Sequence, residues 1–251
     1  MVFPIGDDNT GRVRTPYVTY ALIALNVLVF VMLQGLGTNE QFTYAFSTVP
    51  QEIRTGVDVA RPVTVELGNE RAVIPLQPTP GSVYSTLLIS MFMHGSLMHL
   101  LGNMLFLWIF GDNVEDDLGH ARYTTFYLLT GILASLAHVV STFAAGDNPF
   151  IPSLGASGAI SGVMGGYLVL HPHRRVRVIM LRMLTEVPGY VAVGLWFVFQ
   201  LISAFGVLGG GAQSGGGVAF MAHIGGFVAG VVLVKLFSFG APKPARQRAA
   251  W

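Results

Sequence analysis

The chain contains no cysteine and very little charge. The first absence excludes a disulfide framework and any thiolate-bound metal. Charged residues occupy 11% of the 251 positions and hydrophobic residues 52%, whereas a soluble domain carries about a quarter charged residues. That imbalance argues against an ordinary water-soluble fold and points to lipid. A formal net charge of +1 gives no electrostatic reason to expect nucleic acid as a partner. The His-Glu-x-x-His helix of a zinc protease is missing, and so are paired aspartates within the apolar runs. Charges inside those runs, which a transporter would use, are also missing; only Lys235 approaches, near the end of the last run.

Long apolar runs take their place. A spanning helix needs about 20 mainly apolar residues, and runs of this kind extend from about Pro16 to Gly35, Ser82 to Phe110, Tyr123 to Ala145, Ser157 to Leu170, Val187 to Leu208 and Val218 to Phe239. The fourth is short because His171, His173 and the arginines from Arg174 onward are costly in hydrocarbon. Six crossings put both termini on one side. Every Lys and Arg except Arg54, Arg61 and Arg71 falls on that side, so the positive-inside rule makes it cytoplasmic. The expected organisation is an all-α, six-helix membrane domain over residues 16–239, between a cytoplasmic N-terminal segment 1–15 and a cytoplasmic tail 240–251. The first run follows a polar stretch and lacks an Ala-x-Ala exit, which reads as an anchor and not as a cleaved signal.

The loop over 36–81 is expected to be extracytoplasmic. Within it Val63, Val65 and Leu67 alternate with Thr64 and Glu66 before a Gly68-Asn69 turn, predicting a short hairpin that Pro75, Pro78 and Pro80 bring to an end. Gly209 to Gly217 reads as a flexible connector.

Polar groups at membrane depth are expensive, so each is either functional or satisfied by packing. The candidates are Asn26, His94, His99, Asn103, His138, Ser157, Ser161, Gln200 and His223. Ser157 lies in Gly155-Ala156-Ser157-Gly158, where a loop becomes a helix and free amides can hold an oxyanion; capping that helix is its plainer role. His223 shares a helix face with Gly226 and Gly230, while Gly158, Gly162 and Gly166 form a matching ridge behind Ser157. Small-residue ridges let helix backbones approach closely in lipid, which a short Ser–His hydrogen bond requires. With no Asp or Glu near either residue in its run, a Ser–His dyad is expected, its base oriented by packing or by other hydrogen bonds. His99 and Asn103, four apart, face one way and can both donate to an oxyanion. A metal held by His94, His99, His138 and His223 would lack the usual carboxylate partner, so no metal or cofactor is expected.

These residues resemble the signatures of the rhomboid family of intramembrane serine proteases. His94-x-x-x-x-His99-x-x-x-Asn103 is similar to its second-span motif, Gly155-Ala156-Ser157-Gly158 to its nucleophile motif, and Ala222-His223-x-x-Gly226-x-x-x-Gly230 to its last-span motif. The resemblance implies Ser157 as nucleophile, His223 as general base, and His99, Asn103 and the Ser157 amide as the oxyanion hole, with His94, Gly155, Gly158 and Gly226 in support. It further implies transmembrane proteins as substrates, the lipid bilayer as surroundings and, for a bacterial-type member, the plasma membrane as location; it leaves the oligomeric state open. The alternative is a rhomboid-like protein that binds transmembrane helices without cutting them. Two departures stand out: Ser161 occupies the place of a tyrosine on which the histidine ring stacks in some members, and the loop after the first span has no tryptophan.

Overall fold

The computed structural model describes residues 2–67, 70–180, 183–204 and 219–241. In chain order the elements are β1 (Val2–Asp7), α1 (Tyr17–Leu33, its last turn π-helical), α2 (Glu40–Phe46), α3 (Pro50–Thr55), β2 (Pro62–Leu67), β3 (Glu70–Pro75), α4 (Val83–Phe92), α5 (Leu97–Leu118), α6 (His120–Ala145), α7 (Ser157–Leu170), β4 (Arg175–Met180), β5 (Met183–Pro188), α8 (Gly189–Ala204) and α9 (Phe220–Ser238). Of these, α5, α6 and α9 are long and apolar enough to cross a membrane, while α1, α4, α7 and α8 are shorter apolar helices. The connector at 209–217, the end of the fifth run and most of the C-terminal tail lie outside the described residues.

The apolar runs alone would give an all-α chain, and the structure corrects this. β1, β4 and β5 form an antiparallel sheet in the order β1-β4-β5. The cause is local: along β4, Val176 and Val178 are fully buried while Arg175 and Arg177 point outward, a period of two that suits a half-buried strand. The N-terminal segment is therefore not a loose extension but an edge strand, tolerant of Pro4 for that reason. In the loop over 36–81, β2 and β3 form the expected hairpin, with Val63 opposite Ile74 and Val65 opposite Ala72.

The second run also differs from a single helix over 82–110. It breaks at Met93–Ser96 and restarts as α5, whose N-cap Ser96 accepts the amide of His99 at 3.1 Å. α5 then continues past Phe110 through Asp112, Asn113, Glu115 and Asp116, all buried. Buried carboxylates need partners, and the N-terminal segment supplies them. Glu115 accepts the amides of Val18 and Thr19 at 2.9 and 2.8 Å, at the start of α1, where the helix dipole favours an anion. Asp116 accepts the amides of Val13 and Arg14, and Asp112 pairs with Arg12. Gly119, at φ 76°, turns the chain directly from α5 into α6.

α7 is the centre of the bundle, buried from Gly158 to Tyr167. Its glycine ridge lies against α6 on one side and α9 on the other, and the α7–α9 contact is the most extensive between two elements among the described residues. A methyl group on Gly226 would overlap the carbonyl oxygen of Gly158, and one on Gly230 that of Gly162. Backbone meets backbone along this seam.

At the far end of α7, Tyr167 donates to Asp7 at 2.9 Å and Asn113 donates to it at 2.6 Å. Burial raises the Asp7 carboxyl to about 7, Asp112 adds to the rise, and the Tyr167 hydrogen bond and then Arg174 oppose it. Because the folded chain then holds this proton more tightly than the unfolded chain, Asp7 makes stability fall as pH rises from about 4 to about 7. Asp7→Asn is expected to flatten that part of the profile, read as melting temperature against pH in detergent. An unchanged slope in the variant would assign the dependence to other groups.

Candidate catalytic site

The loop into α7 is held from both sides. Thr48 and Ser153 exchange backbone hydrogen bonds at 2.9 Å, and the Gly155 amide donates to the Ser90 carbonyl at 2.9 Å. Gly155 has φ 132°, open to glycine and strained for other residues, and a Cβ there would stand 2.9 Å from Cε1 of His99. This glycine thus lets the chain reverse into α7 directly beneath an imidazole. Ala156 is the N-cap and offers no side-chain cap. Ser157 is therefore free of the capping role that a serine at a helix start usually takes.

Its hydroxyl instead faces α9. Ser157 Oγ lies 2.8 Å from Nε2 of His223, and Nδ1 of His223 lies 2.8 Å from Oε1 of Gln200 on α8. The ring is flanked by Trp196, with centroids 6.0 Å apart, and by Phe220 at 6.4 Å. Ser161 takes no part in holding it, because its hydroxyl donates to the Ser157 carbonyl at 2.6 Å, within α7. A serine hydroxyl bonded to an imidazole that is itself oriented by a third group is the arrangement by which a weak nucleophile is activated.

A cavity of about 230 Å³ opens beside this pair, lined by Ser157, His223, His99, Asn103, Trp196 and Gln200 among others. His99 and Asn103 thus line the same cavity as Ser157 and His223. Nδ1 of His99 faces the Gly95 amide at 3.5 Å, which leaves its Nε2 for the cavity. Asn103 Nδ2 bonds Nε2 of His94 at 2.9 Å, and its second N–H remains available. His94 itself stands behind the cavity, fully buried, its backbone bridged to the Gln34 side chain at 2.8 and 3.1 Å and its ring edge-on to His99 at 5.1 Å. Gly158 and Gly226 act from the α7–α9 seam. Among the described residues no three His, Asp or Glu side chains form a group able to hold a metal.

Gln200 is the partner that sequence reasoning left without a role. It is conspicuous as the one amide in the fifth apolar run, and Trp196 precedes it by one helical turn. Only the packing shows that both face His223 on α9.

Residues 81–239 match the Rhomboid domain, and the chain belongs to the rhomboid family. It is 33% identical over 159 residues to Rhomboid protein 1, mitochondrial, of Saccharomyces cerevisiae, covering 63% of this chain and 43% of that one. It is 35% identical over 112 residues to the human Presenilin-associated rhomboid-like protein, mitochondrial, covering 45% and 29%. With Rhomboid protease GluP of Bacillus subtilis it shares 28% identity over 230 residues, covering 91% and 36%. The chain thus spans less than half the length of each of these relatives. Family and apolar helices together make it an integral membrane protein. Two of these relatives are mitochondrial by name and one is bacterial, so the similarity does not support the bacterial plasma membrane expected from sequence.

Proposed function

We propose that the chain is an intramembrane serine endopeptidase that hydrolyses peptide bonds in or near transmembrane segments of other proteins. The observation that carries this reading is the 2.8 Å contact between Ser157 Oγ and His223 Nε2 at the edge of an open cavity. As a substrate carbonyl enters, His223 takes the Ser157 proton while Oγ attacks the carbonyl carbon. The oxyanion that forms is met by the Ser157 amide at the start of α7, by Nε2–H of His99 and by the free N–H of Asn103. His223 then returns the proton to the leaving amine, and water, activated by the same imidazole, releases the acyl group.

The bilayer sets the substrate class. A helix in hydrocarbon keeps its carbonyls hydrogen-bonded and shielded, so segments whose helix unwinds easily, rich in small residues, are the expected targets. On this reading both termini and the β1-β4-β5 sheet are cytoplasmic, and the cavity and the loop over 36–81 face the opposite side. The complete Ser157–His223 pair speaks against a protein that binds helices without cutting them.

The test is incubation of purified chain with a reporter transmembrane segment in detergent and in liposomes. Cleavage by wild type and none by Ser157→Ala is expected; equal cleavage by both would overturn the reading. Within it, Asn103→Ala is expected to lower kcat about 10²-fold, the usual effect of removing one oxyanion donor, with little change in KM. A raised KM at unchanged kcat would instead assign Asn103 to substrate binding.

A further inference from the structure

We infer that Gln200 is a positioning residue that fixes the tautomer of His223, so that the reacting unit is Ser157–His223–Gln200, assembled from three helices. The inference rests on the proteolytic reading for its kinetic consequence and on geometry alone for its structural one. Oε1 of Gln200 can only accept, and it stands 2.8 Å from Nδ1 of His223. The proton of a neutral imidazole therefore sits on Nδ1, and the lone pair of Nε2 is aimed at Ser157 Oγ, 2.8 Å away on the other side of the ring. With the opposite tautomer Nε2 would carry a proton and be unable to accept one from Ser157.

Gln200 is well placed to hold this bond. It is buried, 6% exposed, on the regular part of α8. Trp196, one turn earlier on the same face, sets its indole beside the imidazole at 6.0 Å. Together the two residues hold the ring at its edge and along its side, replacing the support that Ser161 does not give. An amide also suits the surroundings. A carboxylate at membrane depth is costly, whereas the carboxamide carries no charge and its carbonyl dipole still faces the imidazolium when His223 takes the proton.

The test compares wild type, Gln200→Met and Gln200→Glu in two measurements. Methionine keeps the shape and removes the acceptor; glutamate restores an acceptor whether or not it ionises. In ¹⁵N-histidine-labelled protein in micelles, with the His223 signal identified by its loss in His223→Gln, wild type is expected to hold the Nδ1–H form. Gln200→Met is expected to show a mixture of the two tautomers. On a reporter segment Gln200→Met should lose about 10²-fold in kcat, within the range of general-base effects, with KM within twofold of wild type, and Gln200→Glu should recover at least tenfold of that loss. An Nε2–H tautomer in wild type, or the same tautomer in wild type and Gln200→Met, would overturn the inference. So would a kcat within twofold of wild type in Gln200→Met. A chain that never cleaves but loses the Nδ1–H form on Gln200→Met would sink the proteolytic reading and leave the tautomer assignment standing.

Discussion

Replacing His223 by alanine is expected to cost as much activity as replacing Ser157, and replacing both no more than either. The reason is the single proton that the two share across 2.8 Å. Without the imidazole the hydroxyl stays protonated and nearly inert; without the hydroxyl the imidazole has no nucleophile with which to form the acyl intermediate. Groups that act as one unit give losses that do not add, and for a serine nucleophile and its histidine the loss reaches about 10⁶ in kcat. The measurement is kcat on a reporter transmembrane segment for Ser157→Ala, His223→Ala and the double variant. If the double variant's loss were the product of the single losses, the two residues would be acting separately, and the contact seen between them would have no part in the chemistry.

The second large effect is structural. Gly226→Ala and Gly230→Ala each push a methyl group into a backbone carbonyl of α7, at Gly158 and Gly162. A carbonyl on a central helix cannot swing aside as the end of a side chain can. Overpacking costs about 1–3 kcal/mol even where side chains yield, so each variant is expected to reach at least the upper end of that range. In a chain of this size that corresponds to a fall on the order of 10 °C in melting temperature. Gly194→Ala is the control, because nothing lies within 4 Å of a Cβ at that position, and it should melt with wild type. Since the same seam sets the distance from Ser157 to His223, loss of serine reactivity is expected to accompany the fall. Variants of Gly226 and Gly230 that melt with Gly194→Ala would mean that α7 and α9 are not packed backbone to backbone.

Much of this arrangement is legible in the sequence because the bilayer makes polarity informative. A serine, two histidines and an asparagine in otherwise apolar runs have few reasons to be there, and Ser157, His223, His99 and Asn103 do line one cavity. The glycine spacing on α7 and α9 likewise announces the seam, since four-residue periodicity maps onto one helix face. Other features depend on partners distant in the chain. Asp112, Glu115 and Asp116 look like the end of a run, yet α5 continues through them because residues 12–19 satisfy them. The Arg175–Ile179 alternation is that of a strand, but the cationic charge masks it until β1 is seen beside it. The role of Gln200 is the least legible, because one amide in an apolar run does not reveal which helix its carbonyl faces.

The central claim is that Ser157 is made nucleophilic by His223 across the α7–α9 seam. Labelling of the purified protein with a serine-directed fluorophosphonate, read by intact mass and peptide mapping, tests this most directly. A single adduct on Ser157 in wild type and none in His223→Ala is the predicted result. Equal labelling of wild type and His223→Ala, or an adduct on another serine, would contradict it.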